Sequence, residues 1–285
     1  MKFYVIEPAS LTEAVDILSQ AKDIILMAGG TDLLVKVKQG RLKPGRVLSL
    51  RQIQGLERVE YVPGRGLFIG PMATHAQVAA HPEVICRFSA LAEACSAVGS
   101  PQIRNVGTVA GNLANASPAA DTAGALLALE AQLMLMGPQG SRRVALADFL
   151  LGPGKTCLGQ GELIAQIFAP EPQLSTFSTY LKLGRRKAME IAVCSVALAS
   201  TSAGNGWSNV QLALGAVGPT TLLSKQAGNV LEGQVWSEQV SILAGKSAAS
   251  ECQPVDDQRA SASYRRAMVE VMVKRAISRL EFLKG

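Results

Sequence analysis

The chain has 285 residues, of which 48% are hydrophobic and 18% charged, and its formal net charge is +6 at pH 7. A chain of this length and composition can bury a large hydrophobic core in one or two domains, and the composition excludes a largely disordered protein. The basic residues are spread out and aromatic residues make up only 5%, a pattern that disfavours nucleic-acid binding and fits an acidic protein partner or an anionic cofactor.

The N-terminal quarter predicts a strand–glycine–helix–strand unit. Ser10 and Glu13 form a capping-box pattern, and apolar residues then recur at helical spacing from Leu11 to Leu18. A short buried strand at 24–27 runs into Gly29-Gly30, a helix is predicted at 31–38, and a second strand at 47–50. Strands at 56–62 and 67–70 flank a Pro-Gly turn and predict a hairpin.

The rest of the chain predicts an α+β protein with a boundary near residue 170. Helices are predicted at 88–98 and 122–130, a hairpin at 133–136 and 143–146, and a strand at 162–168. The segment APEP at 169–172 is the best boundary candidate. Strands at 177–183, 191–200 and 209–216 follow, and helical segments ending in 260–283 then predict a meander with helices on one face.

Cysteine and histidine usage points away from metal and acid–base chemistry. The five cysteines are scattered and form no close pairs, and the two histidines, His75 and His81, stand apart from other metal-ligand residues. The N-terminus lacks the features of a signal peptide and no apolar run is long enough to span a bilayer. We therefore expect a cytoplasmic protein with no metal site and no catalytic side chains, in which a cofactor carries any redox chemistry.

Two glycine-containing segments are candidates for phosphate binding. LMAGGTDLL at 26–34 and NVGTVAGNLANASPAAD at 105–121 are rich in small residues that let the backbone approach a ligand closely. In the second segment, Thr108 and Asn112 offer hydrogen-bonding groups, and Asp121 suits ribose hydroxyls. The alternatives are an ordinary strand–turn–helix for the first segment and a close-packed alanine-rich turn for the second, with Asp121 as a helix N-cap.

Five blocks spread over the chain carry a specific resemblance. They occur in the order AGGTDLL, IGPMATHAQV, IRNVGTVAGNLANASPAAD, LGPGKTCLGQGELI and KLGRRKAMEIAVCSVAL. Together they resemble the FAD-binding medium subunit of the xanthine dehydrogenase family of molybdenum hydroxylases, which includes carbon monoxide dehydrogenase. The resemblance implies a two-subdomain FAD-binding fold of the vanillyl-alcohol oxidase type at residues 1–170, with subdomains at about 1–54 and 55–170. It implies a C-terminal flavoprotein domain at 171–285, a three-stranded antiparallel sheet with helices.

The resemblance also implies the FAD-binding residues. The two loops that hold the diphosphate in this family correspond to Leu26, Met27, Ala28, Gly29, Gly30, Thr31, Asp32 and Leu33, and to Thr108, Val109, Ala110, Gly111 and Asn112. Ser117 and Asp121 belong to the SPxxD motif, whose aspartate would bind the adenosine ribose side. Val98, Ile164 and Lys182 would lie near the flavin. The chain departs from its relatives at Val98, where they can place an aromatic residue, and at Ala110, where they commonly have glycine.

The resemblance further implies a place in an electron-transfer chain. A molybdopterin-binding large subunit would oxidise the substrate, and a small subunit with two [2Fe-2S] centres would pass electrons to FAD on this chain. Reduced FAD would then pass the electrons to NAD or to a different electron acceptor. No cysteine-rich insertion for a further iron–sulfur cluster is visible, so FAD is expected to be the only redox centre here. A stand-alone FAD-dependent reductase of the same fold and a non-catalytic assembly scaffold are the alternatives.

Overall fold

A computed structural model of the chain describes residues 3–21, 23–186 and 188–284. Three sheets organise the described residues: one of three strands, one of five and one of four, with a two-stranded ribbon beside them. None of the helices in this described part is both long and apolar enough to cross a membrane.

The N-terminal sheet is parallel, and helices connect its strands. It contains β1 (Tyr4–Ile6), β2 (Ile24–Met27) and β3 (Arg46–Ser49) in the order β1-β3-β2, with α1 (Leu11–Gln20) and α2 (Leu33–Lys38) between strands. The predicted N-cap is confirmed, since Ser10 Oγ accepts a hydrogen bond from the Glu13 amide at 3.1 Å, but the reciprocal half of the capping box is absent, because the Glu13 carboxylate accepts from the Ala9 amide at 2.7 Å and not from the Ser10 amide. The short strand β1 is not evident from the sequence pattern.

The second sheet is antiparallel and contains both predicted hairpins. Its order is β4-β5-β10-β6-β7. The strands are β4 (Val59–Val62), β5 (Gly66–Ile69), β6 (Gln132–Gly137), β7 (Gly140–Ala145) and β10 (Leu163–Pro170). Between β7 and β10 lie the short helix α9 (Leu146–Phe149) and the ribbon of β8 (Leu150–Gly152) and β9 (Lys155–Thr156). Chain segments far apart in sequence therefore pair through β10, which joins β5 to β6.

A layer of helices lies between β5 and β6 in sequence. Its members are α3 (His75–Ala80), α4 (Pro82–Arg87), α5 (Ser89–Ala97), α6 (Pro101–Arg104), α7 (Val109–Ala114) and α8 (Asp121–Ala128). The helices predicted at 88–98 and 122–130 correspond to α5 and α8. The interpretation of Asp121 as an N-cap is wrong: α8 begins at Asp121 itself, Ala120 occupies the cap position, and no side chain caps this helix.

The C-terminal sheet has four strands, so the prediction of three is one strand short. Its order is β11 (Thr176–Leu183), β12 (Cys194–Ala203), β13 (Gly206–Gly215) and β14 (Leu222–Leu223), all antiparallel. Strand β14 has only two residues, and so short a strand shows no alternation that a sequence pattern could reveal. Helices α10 (Lys225–Leu231), α11 (Glu238–Glu251) and α12 (Ala262–Lys284) follow it.

Both faces of the C-terminal sheet are covered. Successive side chains of a strand point to opposite faces, so neighbouring residues of β12 show what lies on each face. Ala197 and Ala199 belong to the buried cluster that includes the alanine-rich helices α5 and α8. Val196 and Leu198 belong to the other cluster, which includes α10, α11 and α12. The prediction of helices on one face holds for the C-terminal helices, but helices from the first half of the chain cover the opposite face.

Candidate functional site

The first glycine segment joins the end of β2 to the start of α2. Gly30 has φ of +75°, in the left-handed region that glycine adopts without a steric cost. The backbone N–H groups of residues 28–33 donate no hydrogen bond to any residue that the structure describes. A row of free, neighbouring amides is a typical binding site for an anion such as phosphate.

The second glycine segment contains α7, and Thr108 is its N-cap. Thr108 Oγ1 accepts a hydrogen bond from the Gly111 amide at 3.0 Å. Within the described chain, the amides of Thr108 and Ala110 have no acceptor. The side-chain oxygen of Asn112 accepts from the Thr122 hydroxyl at 2.7 Å, which leaves the amide NH₂ group of Asn112 as a donor.

The two glycine segments are in direct contact. A Cβ atom at Gly29 would lie 2.1 Å from the carbonyl oxygen of Val106 and 2.9 Å from the Cα atom of Gly107. A Cβ atom at Gly111 would lie 2.8 Å from Thr108 Oγ1. Glycine at position 29 therefore allows the two backbones to approach closely, which brings both sets of free amides to one place, whereas glycine at position 111 leaves room for the capping hydroxyl of Thr108.

These segments line a cavity of about 420 Å³. Of the predicted site residues, those that line it are Leu26, Met27, Ala28, Gly29, Gly30, Thr31, Asp32, Leu33, Val98, Thr108, Ala110, Gly111, Asn112 and Ile164. The structure does not place four of the predicted residues on its wall: Val109, Ser117, Asp121 and Lys182. The fold thus brings together the two glycine segments, which are far apart in sequence, and places Val98 and Ile164 on the same wall.

Asp121 and Lys182 form a buried ion pair next to the cavity. Asp121 Oδ2 lies 2.8 Å from Lys182 Nζ, and Asp121 Oδ1 accepts a hydrogen bond from the Tyr180 hydroxyl at 2.6 Å. Lys182 also donates to the carbonyl oxygen of Ala97 at 3.1 Å, one residue before the cavity-lining Val98. Burial raises the pKa of the Asp121 carboxyl, although both partners favour its charged form. Both carboxylate oxygens therefore already have partners within the protein.

Charged residues on the cavity wall differ in how they are neutralised. Glu162 accepts two hydrogen bonds from the guanidinium of Arg142, each 2.7 Å long, and this bidentate contact lowers the pKa of Glu162 to about 2. Lys36, at the start of the second turn of α2, donates instead to the neutral side-chain oxygen of Asn115 at 2.9 Å. Among the described wall residues, the Lys36 ammonium forms no ion pair, and its charge suits an anionic ligand.

No group of three or more His, Cys, Asp and Glu side chains that could hold a metal ion occurs among residues 3–21, 23–186 and 188–284. The five cysteines, all in the described part of the chain, are free thiols. Burial raises the pKa of Cys194 and of Cys252 to about 12 in each case, so these thiols stay protonated at neutral pH.

Comparisons with known proteins match both halves of the chain. Residues 1–172 match the family model described as the FAD-binding domain in molybdopterin dehydrogenase, and residues 179–280 match the CO dehydrogenase flavoprotein C-terminal domain. The chain is 33% identical over 272 residues to the carbon monoxide dehydrogenase medium chain of Hydrogenophaga pseudoflava, covering 95% of this chain and 94% of that protein.

The chain belongs to the FAD-binding medium-subunit family of molybdenum hydroxylases.

Further similarities agree with this assignment. A putative xanthine dehydrogenase FAD-binding subunit of Escherichia coli strain K12 is 29% identical over 95% of this chain and 93% of its own length. The solved structure of carbon monoxide dehydrogenase from Hydrogenophaga pseudoflava superimposes with a TM-score of 0.94 at 32% identity, covering 98% of this chain and 96% of that chain. The chain is an oxidoreductase subunit, and FAD is its cofactor.

The cavity fits FAD on its own chemistry. A diphosphate needs several hydrogen-bond donors and little competing negative charge, and the free amides of residues 28–33, Thr108 and Ala110 supply the donors. Glycine at position 29 keeps a side chain out of the contact between the two segments. The departures at Val98 and Ala110 leave small side chains on the wall, and neither of them blocks the cavity.

The sequence alone does not identify several wall residues, among them His75 and Lys36. Both line the cavity. His75 is only 2% exposed, and the backbone amide of this residue donates to the carbonyl oxygen of Gly107 at 3.0 Å. The one available signal is that the THAQ stretch lies inside the second resemblance block, which places His75 in a segment that the family resemblance singles out.

Proposed function

We propose that this chain is the electron-transfer subunit of a molybdenum hydroxylase complex, which receives electrons from iron–sulfur centres of a partner subunit and delivers them to NAD or another acceptor. The observation that carries the proposal is the row of free backbone amides of residues 28–33 beside a cavity in a chain of this family. Bound FAD supplies the redox chemistry, because it can exchange single electrons and electron pairs with different partners.

The partners follow from the relatives. One relative is the medium chain of carbon monoxide dehydrogenase, and the solved structure of that enzyme is described as lacking the Mo-pyranopterin moiety of the molybdenum cofactor. We propose a molybdopterin-binding large subunit and a small subunit with [2Fe-2S] centres as partners of this chain. NAD is one candidate for the final acceptor, and the location in the cytoplasm stays a prediction from the sequence.

The residues of this chain bind and orient the cofactor in the proposal. The amides of residues 28–33, Thr108 and Ala110 hold the diphosphate, and the Asn112 NH₂ group donates beside them. Val98 and Ile164 form apolar wall and exclude water. The roles of four residues as FAD ligands stay predictions: Val109, Ser117, Asp121 and Lys182. The ion pair of Asp121 with Lys182 lies next to the cavity wall at Val98, and this position is the support that these two residues have.

We also propose a division of the chain at residues 170 and 171, with subdomains at about 1–54 and 55–170 in the first part. The strands of the three- and five-stranded sheets all come from residues before 171, and those of the four-stranded sheet all come after it. The family matches, which end at 172 and begin at 179, support the same division.

The first experiment measures FAD on the purified full chain. We expect a yellow protein that releases FAD on denaturation, and we expect Thr108→Ala with Gly111→Val to weaken FAD retention, because the variant loses the hydroxyl that caps α7 and its valine side chain extends towards Ala28 of the first segment. Gly152→Val is the matched control, since a Cβ there meets no atom within 4 Å. A colourless chain that cannot be reconstituted with FAD would contradict the proposal and favour an assembly scaffold.

The second experiment identifies the partners. We expect a molybdenum-containing large subunit and a two-cluster iron–sulfur subunit to co-purify with an affinity-tagged copy of this chain. Substrate turnover by the isolated chain, with neither partner present, would favour a stand-alone FAD-dependent reductase instead. Reduction of the isolated, FAD-loaded chain by NADH, followed by absorbance, would test NAD as the acceptor.

A further inference from the structure

His75 is held rigidly at the cavity wall by backbone contacts. Thr74 caps α3 through a reciprocal capping box with Gln77, in which Thr74 Oγ1 accepts from the Gln77 amide at 3.2 Å and the Thr74 amide donates to Gln77 Oε1 at 2.9 Å. The His75 amide donates to the carbonyl oxygen of Gly107 at 3.0 Å. The backbone of His75 is thereby fixed against the second glycine segment.

The imidazole of His75 lacks the hydrogen bonds that a buried histidine normally makes. Its Nδ1 atom is buried and has no hydrogen-bond partner within the described chain. Burial, with a smaller contribution from the positive charge of Arg104, lowers the pKa of His75 to about 4. At neutral pH the ring is therefore uncharged and carries one N–H donor. The other ring nitrogen, Nε2, is not a buried unpartnered atom and His75 lines the cavity, so Nε2 is the nitrogen that a bound ligand can reach, and an N–H there gains a hydrogen bond when the ligand accepts from it.

The surroundings of the ring indicate which part of FAD it meets. A Cβ atom built on Gly107 would lie 3.5 Å from His75 Cδ2 and 3.3 Å from Thr31 Oγ1, so both side chains border the same point. Thr31 belongs to the row of free amides at residues 28–33, and the free amide of Thr108 follows Gly107 directly. The imidazole thus lies where the two proposed diphosphate-binding segments meet.

We propose that the neutral imidazole of His75 donates a hydrogen bond to the diphosphate of bound FAD and so positions the cofactor between the two glycine segments. This inference rests on the proposed FAD-binding function. His75 adds a directed side-chain donor to a site otherwise built from backbone amides, and it does so without adding a charge.

The chain contains a matched control for this residue. His81 is the second of the two histidines in the sequence, and its Nδ1 atom is also buried without a partner among the described residues. His81 does not line the cavity. A difference between the two histidines therefore reports contact with the cofactor and not the general effect of removing a buried imidazole.

The test measures the affinities of FAD, ADP-ribose and riboflavin for the full chain, or for its complex with the subunits that co-purify with it. His75→Leu is expected to weaken the binding of FAD and of ADP-ribose, which both contain the diphosphate, about tenfold to a hundredfold. The affinity for riboflavin is expected to stay unchanged. His75→Asn, which retains an N–H donor, is expected to recover part of the loss, and His81→Leu is expected to bind all three ligands as the wild type does.

Three results would overturn the inference. They are wild-type affinity of His75→Leu for ADP-ribose, a loss confined to riboflavin, and an equal loss in His81→Leu. A wild-type chain that binds neither FAD nor ADP-ribose would instead overturn the proposed function, so the two failures are distinguishable.

A second measurement needs no variant and covers the case in which His75→Leu does not fold. With ¹⁵N-labelled histidine, the wild-type chain shows ring nitrogen signals from only two residues. Addition of ADP-ribose is expected to shift the signals of one histidine, and riboflavin is expected to leave both unchanged. Signals that do not move with ADP-ribose, at concentrations where binding is saturated, would contradict the hydrogen bond.

Discussion

At Gly29 there is no space for a side chain, because the backbones of the two glycine segments touch at this residue. The same contact brings Gly107, and with it the second segment, against the first. The glycine pattern was therefore a useful signal in the sequence. Its meaning lies in the approach of two segments that are far apart in the chain, which a local pattern does not show.

The first prediction concerns Gly29→Ala. A Cβ there would lie 2.1 Å from the carbonyl oxygen of Val106, so we expect the free energy of unfolding to fall by about 1–3 kcal/mol, as in other overpacked sites. We also expect weaker FAD retention. Urea unfolding measures the first effect, with Gly152→Ala as the control, because a Cβ at Gly152 meets nothing within 4 Å. Equal unfolding midpoints for the two variants would show that the segments separate without cost.

The second prediction concerns the pH dependence of stability. The pKa of His75 is about 4 in the folded chain and about 6.5 in an unfolded one. Between these values the unfolded chain binds a proton that the folded chain does not, so the contribution of His75 is complete above pH 6.5 and is lost as the pH falls towards 4.

The free energy of unfolding falls between pH 7 and pH 4.5, and His75 contributes to this fall in the wild type. We expect the fall to be smaller in His75→Leu by up to about 3 kcal/mol, at roughly 1.4 kcal/mol per pKa unit. The measurement is urea unfolding at both pH values for the wild type and the variant, since all other titrating groups contribute equally to the two chains. Identical losses would indicate that the folded chain protonates His75 readily.

At the scale of elements, strand β11 is fixed to the helical layer by polar contacts. Lys182 on β11 pairs with Asp121 at the start of α8. The Glu93 carboxylate on α5 accepts hydrogen bonds from the Thr179 hydroxyl at 3.0 Å, from the Tyr180 amide at 2.7 Å, and from Arg279 on α12. These contacts join elements from both halves of the chain at the side of the cavity where Val98 lies.

The third prediction concerns the buried ion pair. Lys182→Met is expected to lower the free energy of unfolding by about 3–5 kcal/mol, because it leaves the Asp121 carboxylate buried without its counter-charge. The double variant with Asp121→Asn is expected to recover much of this loss. The exposed pair of Arg46 and Asp23, with side chains 40% and 60% exposed, is the control, and Asp23→Asn is expected to leave the free energy of unfolding nearly unchanged. A double variant as unstable as Lys182→Met would argue against charge as the cause.

The long elements were predictable from the sequence, and the short ones were not. The Ser10 N-cap of α1, the two hairpins and the helices α5 and α8 have local signals, which are a cap, turns and periodicity respectively. Strands β1 and β14 and the helix α6 have only two to four residues each, too few for a repeat. Similarly, the Asp121 partners Tyr180 and Lys182 come from β11, so the local sequence predicted a helix cap instead.

For the whole molecule, the C-terminal sheet is the layer that two of the three buried hydrophobic clusters share. Ala197 and Ala199 face α5 and α8, and Val196 and Leu198 face α10–α12. The sequence predicted the sheet and its helices, but it did not predict that the first half of the chain covers the second face. That contact depends on alanine side chains, whose small size permits close packing but gives little signal in a hydrophobicity pattern.

The fourth prediction follows from this shared layer. A fragment of residues 1–172 would expose the alanine-rich faces of α5 and α8, so we expect it to unfold at a lower temperature than the full chain or to aggregate. Differential scanning calorimetry should show one cooperative transition for the full chain. As a control, a protease site inserted after Leu174, which is 96% exposed, should allow cleavage while the two pieces stay associated. A fragment as stable as the full chain would mean that the two halves fold independently.

The free amides of residues 28–33 give this protein a natural reporter of its own loading. Because they donate to no described group in the chain, they should exchange their hydrogens for deuterium rapidly until FAD accepts from them, and slowly afterwards. Deuterium uptake in the single peptide that spans Met27 to Leu34 would then distinguish loaded from unloaded subunits without any mutation. Followed during assembly, it would reveal whether the subunit is loaded before or after it joins its partners.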